Sequence, residues 1–155
     1  MFSVIFPGQG SQSIGMTKEL YDNFTYIKDL FKQADDELGY SISKIILEGP
    51  KEDLDLTENT QPAIFLASYS IFEMIKKEKN INLGNAKYFA GHSLGEYSAL
   101  ATSGSLDFKS AIKLLNERGK AMQTAVPKGT GGMVAVLGAE IKEINYLLEE
   151  NQNNY

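Results

Sequence analysis

The sequence predicts an α/β protein with a mostly parallel sheet and flanking helices. Short apolar strands alternate with longer amphipathic helices along the 155 residues, which is the order of elements in parallel sheets. A serine between two glycines follows one strand and precedes a helix, and a glycine-rich loop follows another strand. Three strands are expected, fewer than most sheets contain, so the predicted sheet is a partial one.

The first predicted elements are a strand, a loop and a long helix. The apolar run at residues 2–6 predicts a buried strand, and the sequence FPGQGSQSIG then forms a loop. Six apolar residues recur at steps of four and three before Gly39, which predicts one amphipathic helix closed by that glycine. These six residues are Leu20, Phe24, Ile27, Phe31, Ala34 and Leu38.

Two further helices are predicted before the central serine. Ser41 or Ser43 caps a short one, and residues 51–59 then form a polar connection. Thr60 caps the next helix and places Pro62 in its first turn, where a missing N–H costs nothing.

The next predicted elements surround that serine. Residues 87–91 form a strand, and a helix from residue 94 ends at Gly104. Asp107 caps a long helix that reaches about residue 124. The stretch VPKGTGG is the best candidate boundary, so we expect one domain over residues 1–126 and the start of another over residues 127–155, where MVAVLG predicts a strand and residues 140–150 a helix.

The serine stands in the pattern G-x-S-x-G, formed by Gly91-His92-Ser93-Leu94-Gly95. In enzymes that use this pattern, a strand, a sharp turn and a helix expose the serine at the top of the sheet. The strand KYFA and the helix LGEYSALA supply that context here. Backbone N–H groups at the start of the helix favour a developing negative charge, so Ser93 is predicted to be a nucleophile.

His92 is the only histidine in the sequence, and it is a poor base for Ser93. Neighbouring side chains diverge at a strand-to-turn junction, whereas a base must reach the hydroxyl at hydrogen-bond distance. We expect His92 to pack or to hydrogen-bond beside the site. No lysine has a spacing that indicates a base.

The glycine-rich loop does not fit a nucleotide site. The pattern G-x-x-x-x-G-K-[ST] lacks its lysine, and G-x-G-x-x-G fails because position 13 is serine. A loop of small residues after a strand can instead present N–H groups to an oxyanion. The backbone amides of Leu94 and Gln9 are the candidates for this oxyanion hole.

An arginine lies on the apolar stripe of the helix that Asp107 caps. Phe108, Ala111, Leu115, Arg118 and Met122 follow each other at steps of three and four. A guanidinium in the inward-facing row needs a partner. One interpretation is an ion pair, with Glu96 as a candidate, or a side chain that reaches out to solvent. The other is a fork that binds a substrate carboxylate.

Composition excludes several classes of protein. There is no cysteine, so neither disulfides nor thiolate metal sites are possible. The net charge of −5 and the absence of a basic cluster argue against a nucleic-acid-binding face. The apolar run at the N-terminus is too short for a signal peptide, and no stretch is long enough for a membrane span.

Five motifs together resemble the malonyl-CoA:acyl carrier protein transacylases of fatty acid synthesis and the acyltransferase domains of polyketide synthases. The motifs are FPGQGSQ, TQPAIFLAS, GHSLGEYSAL, RGKAMQ and GGMVAVLG. The resemblance implies an α/β-hydrolase-like large subdomain and a small ferredoxin-like subdomain, which GGMVAVLG and the following helix would open. It implies cytoplasmic location, or the stroma or matrix of an organelle that makes fatty acids.

The resemblance also implies the roles of the site residues. Ser93 would carry the acyl group, the amides of Gln9 and Leu94 would form the oxyanion hole, and Arg118 would bind the malonyl carboxylate. Gln61 would lie near the site. The substrates would be malonyl-CoA and holo-acyl carrier protein, with no metal or redox cofactor and no nucleic-acid or membrane partner.

The family's catalytic histidine lies well downstream, so we expect this chain to be the N-terminal half and to be inactive or slow alone. Two alternatives stay open. The chain is a non-catalytic fragment or one half of a split enzyme, or it is a serine thioesterase or other hydrolase, for which Arg118 would have no use.

Overall fold

The computed structural model describes residues 1–79, 81–125 and 136–151. The chain divides into two compact units, Met1–Ala125 and Val126–Tyr155. The first unit contains both described strands and most of the helices. Its helices are α1 Lys18–Asn23, α2 Thr25–Leu38, α3 Ile42–Glu48, α4 Lys51–Leu54, α5 Thr57–Glu78, α6 Gly95–Thr102 and α7 Phe108–Ala125, with a 3-10 turn at Leu83–Asn85.

The described strands form a small parallel sheet. Strand β1, Ser3–Phe6, pairs with β2, Tyr88–Gly91, so that Phe6 lies opposite Gly91. One face packs on the helices through a small cluster of Phe6, Phe72, Leu83 and Ala99. The side chains on the other face are exposed among the described residues, with Ile5 76% exposed. Parallel sheets normally have both faces covered.

The main core lies between the helices, with α5 at its centre. Nearly every residue of α5 from Asn59 to Phe72 is buried, because helices pack around it on several sides. Helix α5 makes its most extensive contact with α7. The fully buried apolar side chains of this core include Ile27, Phe31, Ile46, Leu54, Phe65, Leu66, Ile112 and Leu115.

The prediction of one long helix ending at Gly39 is wrong at its start. The backbone of Phe24 is extended, with φ −124° and ψ 116°, and it separates α1 from α2. The Asn23 amide donates to the Glu19 carbonyl and closes the last turn of α1. The apolar spacing continues across the break, so the sequence pattern did not reveal it.

The predicted start of α5 is also wrong. The helix begins at Thr57, and the Thr60 hydroxyl donates to the carbonyls of Leu54 and Leu56 from inside the helix. Pro62 is therefore the sixth helical residue rather than a first-turn residue. The stretch 51–59, predicted to be a polar connection, contains all of α4.

Other helix ends are confirmed. The Ser41 hydroxyl accepts a hydrogen bond from the Lys44 N–H, and Asp107 Oδ1 accepts from the Ser110 N–H at 3.0 Å. The hydrogen bonds from Ser110 lower the pKa of Asp107. Gly39 and Gly104 have the positive φ values of 74° and 83° that follow a helix end.

The second unit is described over residues 136–151. It contains helix α8, Ile141–Asn151, in agreement with the prediction of a helix over 140–150. The link VPKGTGG and most of the predicted strand MVAVLG lie outside the described residues. Val136 and Leu137, the described residues of that stretch before Gly138, are not in a strand.

Candidate active site

Ser93 lies on the sharp turn between β2 and α6. Its φ is 55°, in the left-handed region that non-glycine residues rarely adopt. The neighbouring Leu94 is fully buried and begins α6 as its N-cap. The side chain of Ser93 is exposed while its backbone is fixed on both sides, which is the geometry of a presented nucleophile.

The two glycines of the pattern are needed because backbone segments cross at this turn. A Cβ on Gly91 would overlap the backbone of Gly95. A Cβ on Gly95 would lie 2.7 Å from the carbonyl oxygens of Phe6 and Pro7, so α6 begins directly against the end of β1. The spacing of the pattern therefore has a steric cause.

Arg118 reaches the serine from α7. Its Nη2 donates to Ser93 Oγ at 3.1 Å, and its Nη1 donates to Gln61 Oε1 at 2.7 Å. Gln61 is fully buried on α5, and its Nε2 donates to Met122 Sδ at 3.2 Å. The guanidinium also lies 5.9 Å from the centre of the Tyr97 ring. Neutral groups on three helices and the turn thus fix one cation beside the hydroxyl.

No carboxylate pairs with this cation in the described part of the chain. The ion pairs there all involve lysines, and Glu96 is not among their acidic partners. Of the two interpretations of the arginine, the ion pair with an acidic side chain is therefore not what the structure contains. A cation held only by neutral groups keeps its capacity to bind an external anion.

His92 does not contact the Ser93 hydroxyl in any hydrogen bond between described residues. Its backbone N–H donates to the Phe6 carbonyl at 3.2 Å, and a Cβ on Gly8 would meet its Nδ1. His92 thus packs beside the turn, as predicted. Since arginine is only a donor, the Ser93 hydroxyl has no hydrogen bond to a group that could accept its proton among the residues that the structure describes.

The two predicted oxyanion donors follow adjacent strand ends. The pairing of Phe6 with Gly91 brings the loop after β1 beside the turn after β2, and Gly8 contacts His92 there. Gln9 lies in this loop and is exposed. Leu94 lies at the first turn of α6. The neighbouring Gly10 N–H donates to Gln12 Oε1, and Gln12 Nε2 donates to Asp55, which holds the loop.

Two residues of the site were missed from the spacing alone. Tyr97 lies four residues after Ser93 on α6, a separation that places both on one side of the helix start and that could have identified it. Met122 was placed on the apolar stripe, but its contact with Gln61 joins α5 to α7 and has no local signal.

The described residues offer neither a metal-binding cluster nor a membrane-spanning helix. They contain no group of three or more His, Cys, Asp or Glu side chains that could hold a metal ion. They also contain no helix long and apolar enough to cross a membrane.

Residues 3–150 match the acyl transferase domain family, and the chain belongs to that family. The chain is 48% identical, over 143 residues, to a malonyl CoA-acyl carrier protein transacylase of Haemophilus influenzae, covering 92% of this chain and 45% of the relative. It is 44% identical to a protein of the same name from Bacillus subtilis, over 94% of this chain and 45% of the relative.

Solved structures show the same fold. One match is a chain in the solved complex of a type II PKS acyl-carrier protein with its malonyl-transacylase. It has a TM-score of 0.83 and 42% identity, over 99% of this chain and 48% of the other. An acyl carrier protein S-malonyltransferase from Vibrio cholerae matches with a TM-score of 0.82 and 43% identity, over 98% and 49%. The chain thus spans about half the length of these relatives.

Proposed function

We propose that this chain supplies the nucleophile and the carboxylate-binding site of a malonyl-CoA:acyl carrier protein transacylase. The observation that carries the proposal is the Arg118 guanidinium, which lies between Gln61 and Ser93 and donates to the serine oxygen at 3.1 Å. A cation at this distance from a nucleophile suits an acyl group that ends in a carboxylate a few atoms from its thioester carbon. The names of the relatives support the same substrate.

The reaction has two half-reactions. Ser93 Oγ attacks the thioester carbon of malonyl-CoA and its proton goes to a base, which gives it to the CoA sulfur as the C–S bond breaks. The thiol of the phosphopantetheine arm of acyl carrier protein then gives its proton to the base and attacks the malonyl-serine ester. The ester C–O bond breaks, and the base returns the proton to Ser93 Oγ. Arg118 holds the malonyl carboxylate through a bidentate pair, for which it exchanges its bond to Ser93 Oγ. No step needs a metal or a redox cofactor.

The backbone N–H groups of Leu94 and Gln9 would bind the oxyanion of each tetrahedral intermediate. Leu94 supports this role because its N–H lies at the start of α6, where the helix dipole favours negative charge. Gln9 supports it because the loop after β1 lies against the turn after β2. We assign the general base to the half of the family domain with which this chain does not align.

The proposal includes an assignment of the chain to two subdomains. Residues 1–126 would be the N-terminal part of an α/β-hydrolase-like large subdomain, and residues 127–155 would begin a ferredoxin-like small subdomain. The acidic charge of the chain gives no long-range attraction to an acidic carrier protein, so a local basic patch would dock the carrier.

The test is to incubate the purified chain with malonyl-CoA and to measure its intact mass, with Ser93→Ala as control. A malonyl adduct that is absent from the control supports acyl transfer to Ser93. If the chain alone gives no adduct, the separately expressed C-terminal half of the Haemophilus influenzae relative is added. Absence of an adduct in the mixture, with both parts folded, would contradict the proposal.

A second candidate is a chain that is not catalytic alone but is one half of a split enzyme. The observation that favours it is the lack of a proton acceptor at Ser93 among the described residues. An adduct that forms only in the mixture would favour this candidate.

A further inference from the structure

Pro62 leaves a backbone carbonyl without its helical partner where the start of α5 meets the middle of α7. In an α-helix the N–H of residue 62 would bond to the carbonyl of Glu58, but proline has no N–H. The Glu58 carbonyl is therefore free, and Asn116 Nδ2 donates to it at 2.9 Å. Asn116 lies on α7 and is 5% exposed, so the donor of this bond is buried. An unpaired carbonyl of α5 is thus satisfied by a side chain of α7.

Gly119 allows the two helices to approach at the same place. A Cβ at this position would lie 2.5 Å from Glu58 Cα and 2.6 Å from the Thr57 carbonyl oxygen. Both contacts are with backbone, which cannot rotate away as a side chain can. Asn116 and Gly119 are one turn apart on α7, so both lie on the face that meets Glu58. We call the contact of Asn116 and Gly119 with Glu58 the proline seam.

The proline seam lies next to Arg118 on α7 and next to Gln61, the partner of Arg118, on α5. Arg118 immediately precedes Gly119, and Gln61 follows Glu58 by three residues. The 2.7 Å bond between Arg118 Nη1 and Gln61 Oε1 therefore joins the same two helix segments that the seam holds together. A small displacement of α7 from α5 would lengthen this bond and move the guanidinium relative to Ser93.

We propose that Asn116 and Gly119 are positioning residues for the reaction: through the Glu58 carbonyl that Pro62 leaves free, they set the place of the Arg118 guanidinium beside Gln61 and Ser93. The consequence for catalysis rests on the proposed function, whereas the placement of Arg118 does not. Bidentate carboxylate binding depends on this placement, and a displacement of about 1 Å can cost up to 100-fold in rate.

Arg118 is the only arginine in the sequence, so the position of its side chain can be followed without measuring enzyme activity. Labelling with [15N]arginine yields NMR signals from this side chain alone. In the wild-type chain we expect separate Nη1 and Nη2 proton signals, because the bond to buried Gln61 slows rotation of the guanidinium. In Gly119→Ala we expect one averaged signal. A wild-type spectrum for Gly119→Ala would overturn the proposal.

A pair of variants separates positioning from stability. Asn116→Ala leaves the Glu58 carbonyl unpaired and also removes the bond from Asn116 to the Tyr40 hydroxyl, so we expect a lower melting temperature and an averaged Arg118 signal. In the double variant Asn116→Ala/Pro62→Ala, the restored N–H at position 62 can bond to Glu58, while the bond to Tyr40 stays lost. We then expect the melting temperature to recover in part while the Arg118 signal stays averaged. Recovery of both would mean that Asn116 only satisfies the carbonyl, and the proposal would be wrong.

Ile112→Ala is the matched control. It removes a fully buried side chain from α7 one turn before Asn116 and leaves Asn116, Gly119 and Pro62 unchanged. We expect a lower melting temperature and unchanged Arg118 signals. If Gly119→Ala does not fold, Asn116→Ala and its double variant decide the question.

Titration with free malonate separates this inference from the proposed function. We expect malonate to shift the Arg118 signals of the wild-type chain and to bind Asn116→Ala about 10-fold more weakly, as loss of one well-placed hydrogen bond to a charged group would produce. If malonate does not bind the wild-type chain, the carboxylate site of the proposed function fails. The spectra of the variants still decide whether the seam places Arg118.

Discussion

The two sides of the candidate site rest on different kinds of structure. The arginine side stands on α5 and α7, whose facing residues lie in a closed core of buried side chains. The serine side stands on the turn between a two-stranded sheet, which packs on a cluster of four buried residues among those described, and α6, whose N-cap Leu94 belongs to the main core. The helices that carry the arginine are therefore more deeply packed than the strand that leads to the serine.

This difference agrees with the chemistry of each side. Every polar partner of the guanidinium that we identify is neutral and belongs to the first unit. The candidate nucleophile Ser93 has its turn and the start of its helix, but its hydroxyl is hydrogen-bonded to no proton acceptor in the described residues. The described residues thus form the proposed carboxylate site without the base that the proposed reaction needs.

The largest expected effect is a loss of stability, measured by replacing one phenylalanine in each region. Phe65 is fully buried in the helical core, and its replacement by Ala should lower the free energy of unfolding by about 3–5 kcal/mol. Phe89 on β2 is half-buried, and Phe89→Ala should cost about 1.5 kcal/mol. Urea denaturation of the two variants measures the difference. Equal losses would show that the sheet is packed as firmly as the helices.

The next effect concerns the turn that carries Ser93. A Cβ on Gly91 would overlap the backbone of Gly95, so Gly91→Ala should cost about 1–3 kcal/mol of stability and displace Ser93. We expect no malonylation in the intact-mass assay, even where circular dichroism shows folded helices. Gly84→Ala, at an exposed position of the 3-10 turn Leu83–Asn85, is the control and should keep wild-type malonylation. Normal malonylation of Gly91→Ala would contradict the steric account of the turn.

A smaller expected effect is the change in stability of the helical region at alkaline pH, which depends on Tyr40. Burial, and then the nearby charges of Glu58 and Asp35, raise the pKa of Tyr40 to about 12. Below pH 10 the phenol is neutral in both states, so its contribution to stability is fully present there. Between pH 10 and 12 the unfolded chain ionises first, so stability falls as pH rises. Since Tyr40 is partly exposed, we expect a loss of only about 1 kcal/mol after screening.

The control for this prediction is Tyr40→Phe. The variant should be less stable at neutral pH, because it loses the bonds of the hydroxyl with Asn59 and Asn116, and its loss above pH 10 should be smaller than that of the wild type. Tyr26, whose pKa is also about 12, stays in both proteins, so part of the alkaline loss remains. An unchanged slope above pH 10 would rule out Tyr40 as its source.

The sequence allowed much of the site to be predicted, because local chemistry marks it. Ser93 stands in a pattern with a steric cause, and Arg118 stands where a charge requires a partner. The strands and most helix ends follow from short apolar runs and from capping residues such as Ser41 and Asp107.

The contacts between distant segments could not be predicted. Thr60 is a good capping residue and would place Pro62 in a first turn, yet the N-cap of the helix is Leu56, four residues earlier. The role of Asn116 then depends on a carbonyl 58 positions away in the chain, which no spacing reveals. The break at Phe24 was hidden for a related reason, since both helices present their apolar residues to one core.

The most direct test of the central claim is the selectivity of Ser93 acylation. The wild-type chain and Arg118→Gln are each given malonyl-CoA or acetyl-CoA, with the C-terminal half of the Haemophilus influenzae relative present, and the adducts are measured by intact mass. The account predicts that Arg118→Gln lowers malonyl acylation about 100-fold, since a charged hydrogen-bonded partner is worth about 1.5–3 kcal/mol, and leaves acetyl acylation almost unchanged. Equal losses with both donors would contradict the claim that Arg118 selects the carboxylate.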